Sequence, residues 1–411
     1  MNGMTTAEST AGSRPTVLRA SWLFDGTSDA LMANPTVVFD RGTITTVATS
    51  LPVPEDADVI DLGGATLLPG LVDGHVHLAF DASEDPVAHL ADRDDAAAFA
   101  AMASAARRAA RGGVTTVRDL GDRGYLSLGL RDAAAIDRSL PTIVAAGPPI
   151  TTPGGHCHYL GGAALGVDGV RAAVREHAER GADVIKIMAS GGNLTPGSRP
   201  EVAQFGRTEL RAAVDEAHRH GLPVVAHAHG TQAIDDALAA GVDGLEHVTF
   251  MTADGVDDIP DSVLAGIVNR SVTLGMTFGM APAAGARPPS AMASRLPALM
   301  ANATRLYQAG ASMIAGTDAG VGPIKPHDVL RWAVGQLTRI GMTPAEALRA
   351  STSRAAAVCG LGASKGRLAP GYDADILAID GDPLTDPDAL HRIRAVFVRG
   401  KPLTRGIAGG R

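Results

Sequence analysis

The sequence predicts an α/β fold: a (β/α)8 barrel carrying a small composite β-sandwich built from both chain ends. Three observations point there. Eight short apolar strand candidates alternate with Ala-rich helical stretches through the middle of the chain, β-type runs are confined to its two ends, and histidines gather where strands finish. An open, doubly wound sheet is the alternative way to arrange the same alternation. The expected layout is a disordered tail over 1–15, a sandwich from 16–67 and 364–411, and a barrel over 68–363.

In chain order, the N-terminal strand runs are "TVLRASWLFDG", "PTVVFDRGTITTVA" and "DVIDLGGATLLPG". Their C-terminal counterparts are "GYDADILAID" and "IRAVFVRGKPL", each punctuated by Asp, Gly or Pro. The barrel strand candidates follow as "GLVDGHVHL", "GVTTVRDLG", "PTIVAAGPP", "ADVIKIMAS", "LPVVAHAHG", "VDGLEHVTF", "SVTLGMTFG" and "SMIAGTDAG". Each is short and rich in Val, Ile or small residues, as a strand covered on both faces should be. Between the first two, "DDAAAFAAMASAARRAARGG" puts Phe99, Met102 and Ala106 on one helical face and ends at Gly112 in a C-cap position. Near the end, "MTPAEALRASTSRAAAVCG" offers Thr343 as N-cap, Pro344 at the first helical position and Glu346 to complete a capping box.

Composition excludes several classes. The chain has 411 residues, 45% of them hydrophobic, and a net charge of −8 with no basic run, which argues against nucleic-acid binding. Two cysteines, Cys157 and Cys359, are too few for a disulfide framework and fit a reducing compartment. The polar start "MNGMTTAESTAGSRP" has no apolar segment of signal-peptide type, and no stretch is long and apolar enough for a membrane span. A cytoplasmic, soluble protein acting on a small molecule is the expectation.

The chemistry is concentrated in a few side chains. His75, His77, His156, His158, His227, His229 and His247 lie at or after the C-terminal ends of strand candidates, which form the catalytic face of a barrel. Side chains alternate along a strand, so His75 and His77 share a face and can hold one ion. Neutral imidazole suits zinc or a similar divalent metal. Lys186 and Asp318 are charges in apolar strand ends, where an unpaired charge is costly. Read separately, the histidine pair fits a hydrogen-bonded strand end and Lys186 a salt bridge; together on five strands they point to a metal centre. His89, His177, His218, His220 and His391 are expected on the surface.

These motifs resemble the amidohydrolase superfamily. The matching pieces are "PGLVDGHVHL", "GVTTVRDLG", "ADVIKIMASGG", "VVAHAHG", "GLEHVTF", "AGTDAG" and the closing "LAPGYDADILAID". The resemblance is closest to the branch of Xaa-Pro dipeptidases and imidazolonepropionase-like enzymes. It implies two divalent metal ions, zinc foremost, and a hydroxide bridging them as nucleophile, since metals lower the pKa of bound water towards ~7. His75 and His77 would hold the first ion, and His227 and His247 the second. Lys186 would be carboxylated by CO2 to bridge both, and Asp318 would complete the first site and shuttle the proton. The Gly-Gly-His segment of relatives contacts the scissile carbonyl, which makes His156 the candidate polariser, with His158 beside it. His229 stands where dipeptidases of this branch carry a substrate-binding tyrosine, and His327 matches a position over the site. Family members are commonly homo-oligomers.

The implied activity is cleavage of an amide bond in a dipeptide, prolidase-like, or in an N-acyl amino acid. Hydrolysis of a cyclic amide, a lactone or an organophosphate ester is the alternative, because one hydroxide serves all of them. Imidazolonepropionase itself uses one metal and lacks the lysine present here as Lys186. A non-catalytic scaffold on the same fold is the reading from another class, though such relatives lose ligands and this chain keeps all six. The long loops "SGGNLTPGSRPEVAQF" and "GMAPAAGARPPSAMASRLP" are where specificity is set, with Arg199, Arg287 and Arg295 as candidates for a substrate carboxylate.

Overall fold

A computed structural model describes residues 14–49, 51, 52, 54, 56–282 and 290–403. Nearly all of the expected tail over 1–15, the last eight residues and Arg287 lie outside the described residues.

The eight barrel strands form where apolar runs were expected, at Leu71–Val76, Val114–Asp119, Thr142–Ala145, Ile185–Met188, Val224–Ala228, Gly244–His247, Thr273–Thr277 and Ser312–Gly316. They lie in chain order, the first three in one sheet and the last five in another, and every pairing within these two sheets is parallel. Parallel bridges Ile150↔Ile187 and Val76↔Ala319 join the two sheets into a closed ring. That closure separates a barrel from an open sheet, which would leave two edges. Helices follow the strands and bury one stripe each. In Asp95–Arg111, Met102 and Ala106 are buried, Phe99 is half-buried, and Gly112 is the C-cap.

Strands from both ends build the second unit. Four N-terminal strands make a sheet ordered 43–49, 35–40, 16–19, 58–61. The other sheet interleaves the ends in the order 401–402, 393–398, 376–380, 65–69, 22–23, 32–33. Leu18, Val37 and Phe39 of one sheet pack in one core with Leu67, Ile376 and Phe397 of the other. Phe39 meets Phe397 edge to face, ring centroids 6.1 Å apart. The strand Ala65–Pro69 belongs to this sheet, and the first barrel strand starts only two residues later at Leu71. The histidine pair is therefore fixed to the sandwich by one short, buried link. Among the described residues, no helix is long and apolar enough to cross a membrane.

Candidate metal centre

Two groups of ligand-type side chains meet at the C-terminal mouth of the barrel. His75, His77 and Asp318 form one, and His227, His229 and His247 the other, with the nitrogen and oxygen atoms of each within 4.8 Å of one another. The groups adjoin: the His75 and His247 rings are 5.1 Å apart. Four separate stretches of sequence would scatter these residues in an unfolded chain, and the parallel barrel aligns their strand ends.

In three of the five rings the hydrogen bonds fix which nitrogen is free. His75 Nδ1 donates to Glu246 Oε2 (2.8 Å), His77 Nδ1 to the Gly121 carbonyl (3.1 Å) and His227 Nε2 to the Gly191 carbonyl (2.9 Å). A carbonyl or carboxylate only accepts, so the proton sits on that nitrogen and the other can present a lone pair, at His77 once the proton it shares with Asp318 is lost. His229 Nδ1 and His247 Nδ1 meet the hydroxyls of Thr249 (2.8 Å) and Thr277 (3.2 Å), leaving Nε2 of each ring. Burial keeps these rings neutral, lowering His75 to about 4 and His229 to about 3. His77 differs: burial works against its protonation, but the adjoining Asp318 raises it on balance.

Asp318 Oδ1 lies 3.5 Å from His75 Nε2 and 3.3 Å from His77 Nε2. Its burial would raise the carboxyl pKa, but the hydrogen bond with His77 and the nearby His75 hold it far below the usual range. Asp318 and His247 adopt positive φ, 58° and 72°, a strained conformation for residues other than glycine that clusters at functional sites. Asp73 braces the Asp318 turn by accepting from Thr317 N (3.0 Å) and Oγ1 (2.6 Å).

Lys186 is 1% exposed, and its Nζ has no hydrogen-bond partner. The expected alternative, a salt bridge, is not formed among the described residues. Burial lowers its pKa to about 8, despite the opposing attraction of Glu246 and Asp318. Its charge is felt by His75 in one group and by His227 and His247 in the other. A buried amine with no partner fits conversion to an anionic carbamate beside cations, and the lone pairs around it fit two divalent ions.

Three further candidates take different positions. His156 is buried 4.9 Å from the His227 ring, and its Nδ1 has no partner. Its Nε2 would lie 2.3 Å from a Cβ at Gly192, so glycine there leaves room for the ring. His158 is exposed, with Nδ1 on the Gly155 carbonyl. His327 is buried and its Nε2 donates to the His77 carbonyl (3.2 Å), which supports the backbone of a candidate ligand.

The remaining expected positions divide. His218 pairs with Asp243 in a largely exposed contact. His177 is not on a polar face: it is buried, with Nε2 2.7 Å from the Pro148 carbonyl. Val170, Val174 and His177 fall at helical spacing on one buried stripe, the signal that would have placed it inside. Arg295 spends its guanidinium on the Thr252 and Ala253 carbonyls, while Arg199 is exposed beside Glu201. Glu246, Arg118 and Asp73 are site residues that sequence reasoning missed. For Asp73 a signal exists, since positions 73, 75 and 77 share one face of a strand.

The sequence model of the amidohydrolase family matches residues 66–403. Ochratoxinase of Aspergillus niger is 31% identical over 363 residues, covering 80% of this chain and 73% of that protein. A solved Xaa-Pro dipeptidase with methionine bound in its active site superposes with TM-score 0.82 at 26% identity, covering 94% of this chain and 99% of its own. A prolidase complexed with N-methylphosphonate-L-proline gives the same TM-score and identity over 95% of this chain and all of its own. With a barrel, two adjoining groups of ligand-type side chains and a family match across most of its length, the chain belongs to the amidohydrolase family and is a hydrolase of carbon–nitrogen and related bonds.

Proposed function

We propose that the protein is a two-metal amidohydrolase that cleaves the amide bond of a dipeptide or an N-acyl amino acid. The observation that carries this is Lys186, a buried amine without a partner beside two groups of ligand-type side chains. His75, His77 and Asp318 would hold one ion, and His227 and His247 the other. The Lys186 amine attacks CO2, forming the carbamate N–C bond and releasing a proton, and the resulting anion would help hold the ions. Zinc suits the nitrogen-rich ligand set. Bound divalent ions would supply Lewis acidity and a water of lowered pKa.

The protein's own groups handle the rest. His156 offers its unpartnered ring edge to the scissile carbonyl, and the neutral ring suits a hydrogen-bond donor. Asp318, held ionised, accepts a proton from the attacking water and delivers it to the leaving amine as the C–N bond breaks. His229 and His327 flank the substrate side, with His158 at the rim. Barrel strands fix the ligands while the loops after the fourth and seventh strands vary the specificity.

The amide assignment is supported by relatives named as dipeptidase and prolidase. Histidine rather than tyrosine at position 229 favours a second reading, in which the same centre opens a cyclic amide, a lactone or a phosphate ester. Metal-loaded protein should be assayed against dipeptides, N-acyl amino acids, lactones and phosphotriesters. The expected result is turnover of the amides, reduced chiefly in kcat by Asp318→Asn. Turnover confined to lactones or phosphotriesters would sink the amide assignment.

A further inference from the structure

The two ion pockets are not electrostatically equivalent, and the difference lies behind His75. Glu246 is 1% exposed and accepts from His75 Nδ1 at 2.8 Å. Arg118, also buried, donates from Nη2 to the other carboxylate oxygen (3.0 Å) and from Nε to the Gly74 carbonyl (2.7 Å). Gly275 pairs directly with Glu246 across the neighbouring strands, and a Cβ there would stand 1.9 Å from Glu246 Oε2. Fold stability would be served as well by an apolar side chain in this layer of the barrel. Instead a charged pair is buried at full desolvation cost and aimed at one ring.

On the nitrogen turned away from the candidate ion position, every other ring of the two groups leans on a neutral partner: the Gly121 and Gly191 carbonyls and the Thr249 and Thr277 hydroxyls. A carboxylate behind imidazole locks the tautomer and makes the far nitrogen a better donor, whereas a carbonyl or hydroxyl does so more weakly. Resting on the two-ion assignment above, we infer that Glu246, anchored by Arg118 and given room by Gly275, is a positioning residue that makes the His75–His77–Asp318 pocket the tighter of the two. Glu246 touches neither ion nor substrate. Its direct contact among the candidate ligands is with His75, and the pockets fill in order.

Chelator competition with cobalt(II) as the probe, followed by the visible spectrum, measures each step without any substrate. The wild-type chain should fill in two resolved steps. Glu246→Ala should weaken the first step by about 10–100-fold and shift its spectrum, while the second step keeps its affinity. Glu246→Gln, which can still accept from Nδ1, should lose less. Gly275→Ala leaves every ligand in place but displaces the carboxylate, and should weaken the same step. Unaltered steps in both Glu246→Ala and Gly275→Ala, or equal weakening of both steps, would overturn the role of Glu246 alone. A wild-type chain that takes up no cobalt would overturn the two-ion assignment itself.

Discussion

At Lys186, burial suppresses the ordinary chemistry of a lysine. With its pKa lowered to about 8, the side chain is largely ammonium at pH 6.5 and largely free amine at pH 9. Only the amine can attack CO2. Loading of metal-free protein with zinc at fixed dissolved CO2 should therefore accelerate by on the order of tenfold per pH unit below 8 and level off above it. His75 and His229, lowered to about 4 and about 3, are already neutral across that window, whereas His77, raised by Asp318, has its own proton to lose and can only steepen the rise. Loading rates followed by metal content would show this, and a flat profile from pH 6 to 9 would contradict it. Much at this scale was legible, because charges and histidines at the ends of apolar runs announce themselves. Glu246 and Arg118 did not: each sits mid-strand and answers only to a partner on another strand, 128 residues apart in sequence.

Among the elements, the helix Pro344–Ala350 shows how local chemistry fixes a boundary. Thr343 Oγ1 accepts from Glu346 N at 3.2 Å while Glu346 Oε2 accepts from Thr343 N at 2.8 Å, the reciprocal capping expected from four consecutive residues. Thr343→Ala should weaken this end by about 1 kcal/mol. Hydrogen exchange should then quicken by roughly fivefold at the first-turn amides, with barrel strands unaffected. Unchanged protection there would deny the cap its role. The eight strands were legible for the same kind of reason, each being a short buried run set off by turn residues. Strand order and closure were not written locally. They follow from the bridges at Ile150–Ile187 and Val76–Ala319, which depend on the whole ring. His177 was misplaced because its polar neighbours in sequence hid the stripe it shares with Val170 and Val174.

For the whole molecule, the sandwich and barrel are continuous through the buried strands that lead into His75. The interleaving of the two chain ends was foreshadowed by similar strand runs, but the exact sheet order was not, because it is set by pairing between residues more than three hundred positions apart, such as Ala65 with Asp380. Substrate choice belongs to this scale too, since the loops after several strands share one mouth, and single-loop chemistry does not name the ligand. The six side chains of the two groups span from His75 to Asp318, and the proposed ions would give them a common purpose. The most direct test is the number of metal ions per chain, measured by elemental analysis after loading with zinc and bicarbonate, in the wild type and in Lys186→Ala. Two ions per chain in the wild type, falling below one in the variant, is the predicted result for the two adjoining groups. Undiminished two-ion occupancy in Lys186→Ala would contradict the bridging lysine, and fewer than one ion in the wild type would contradict the metal centre.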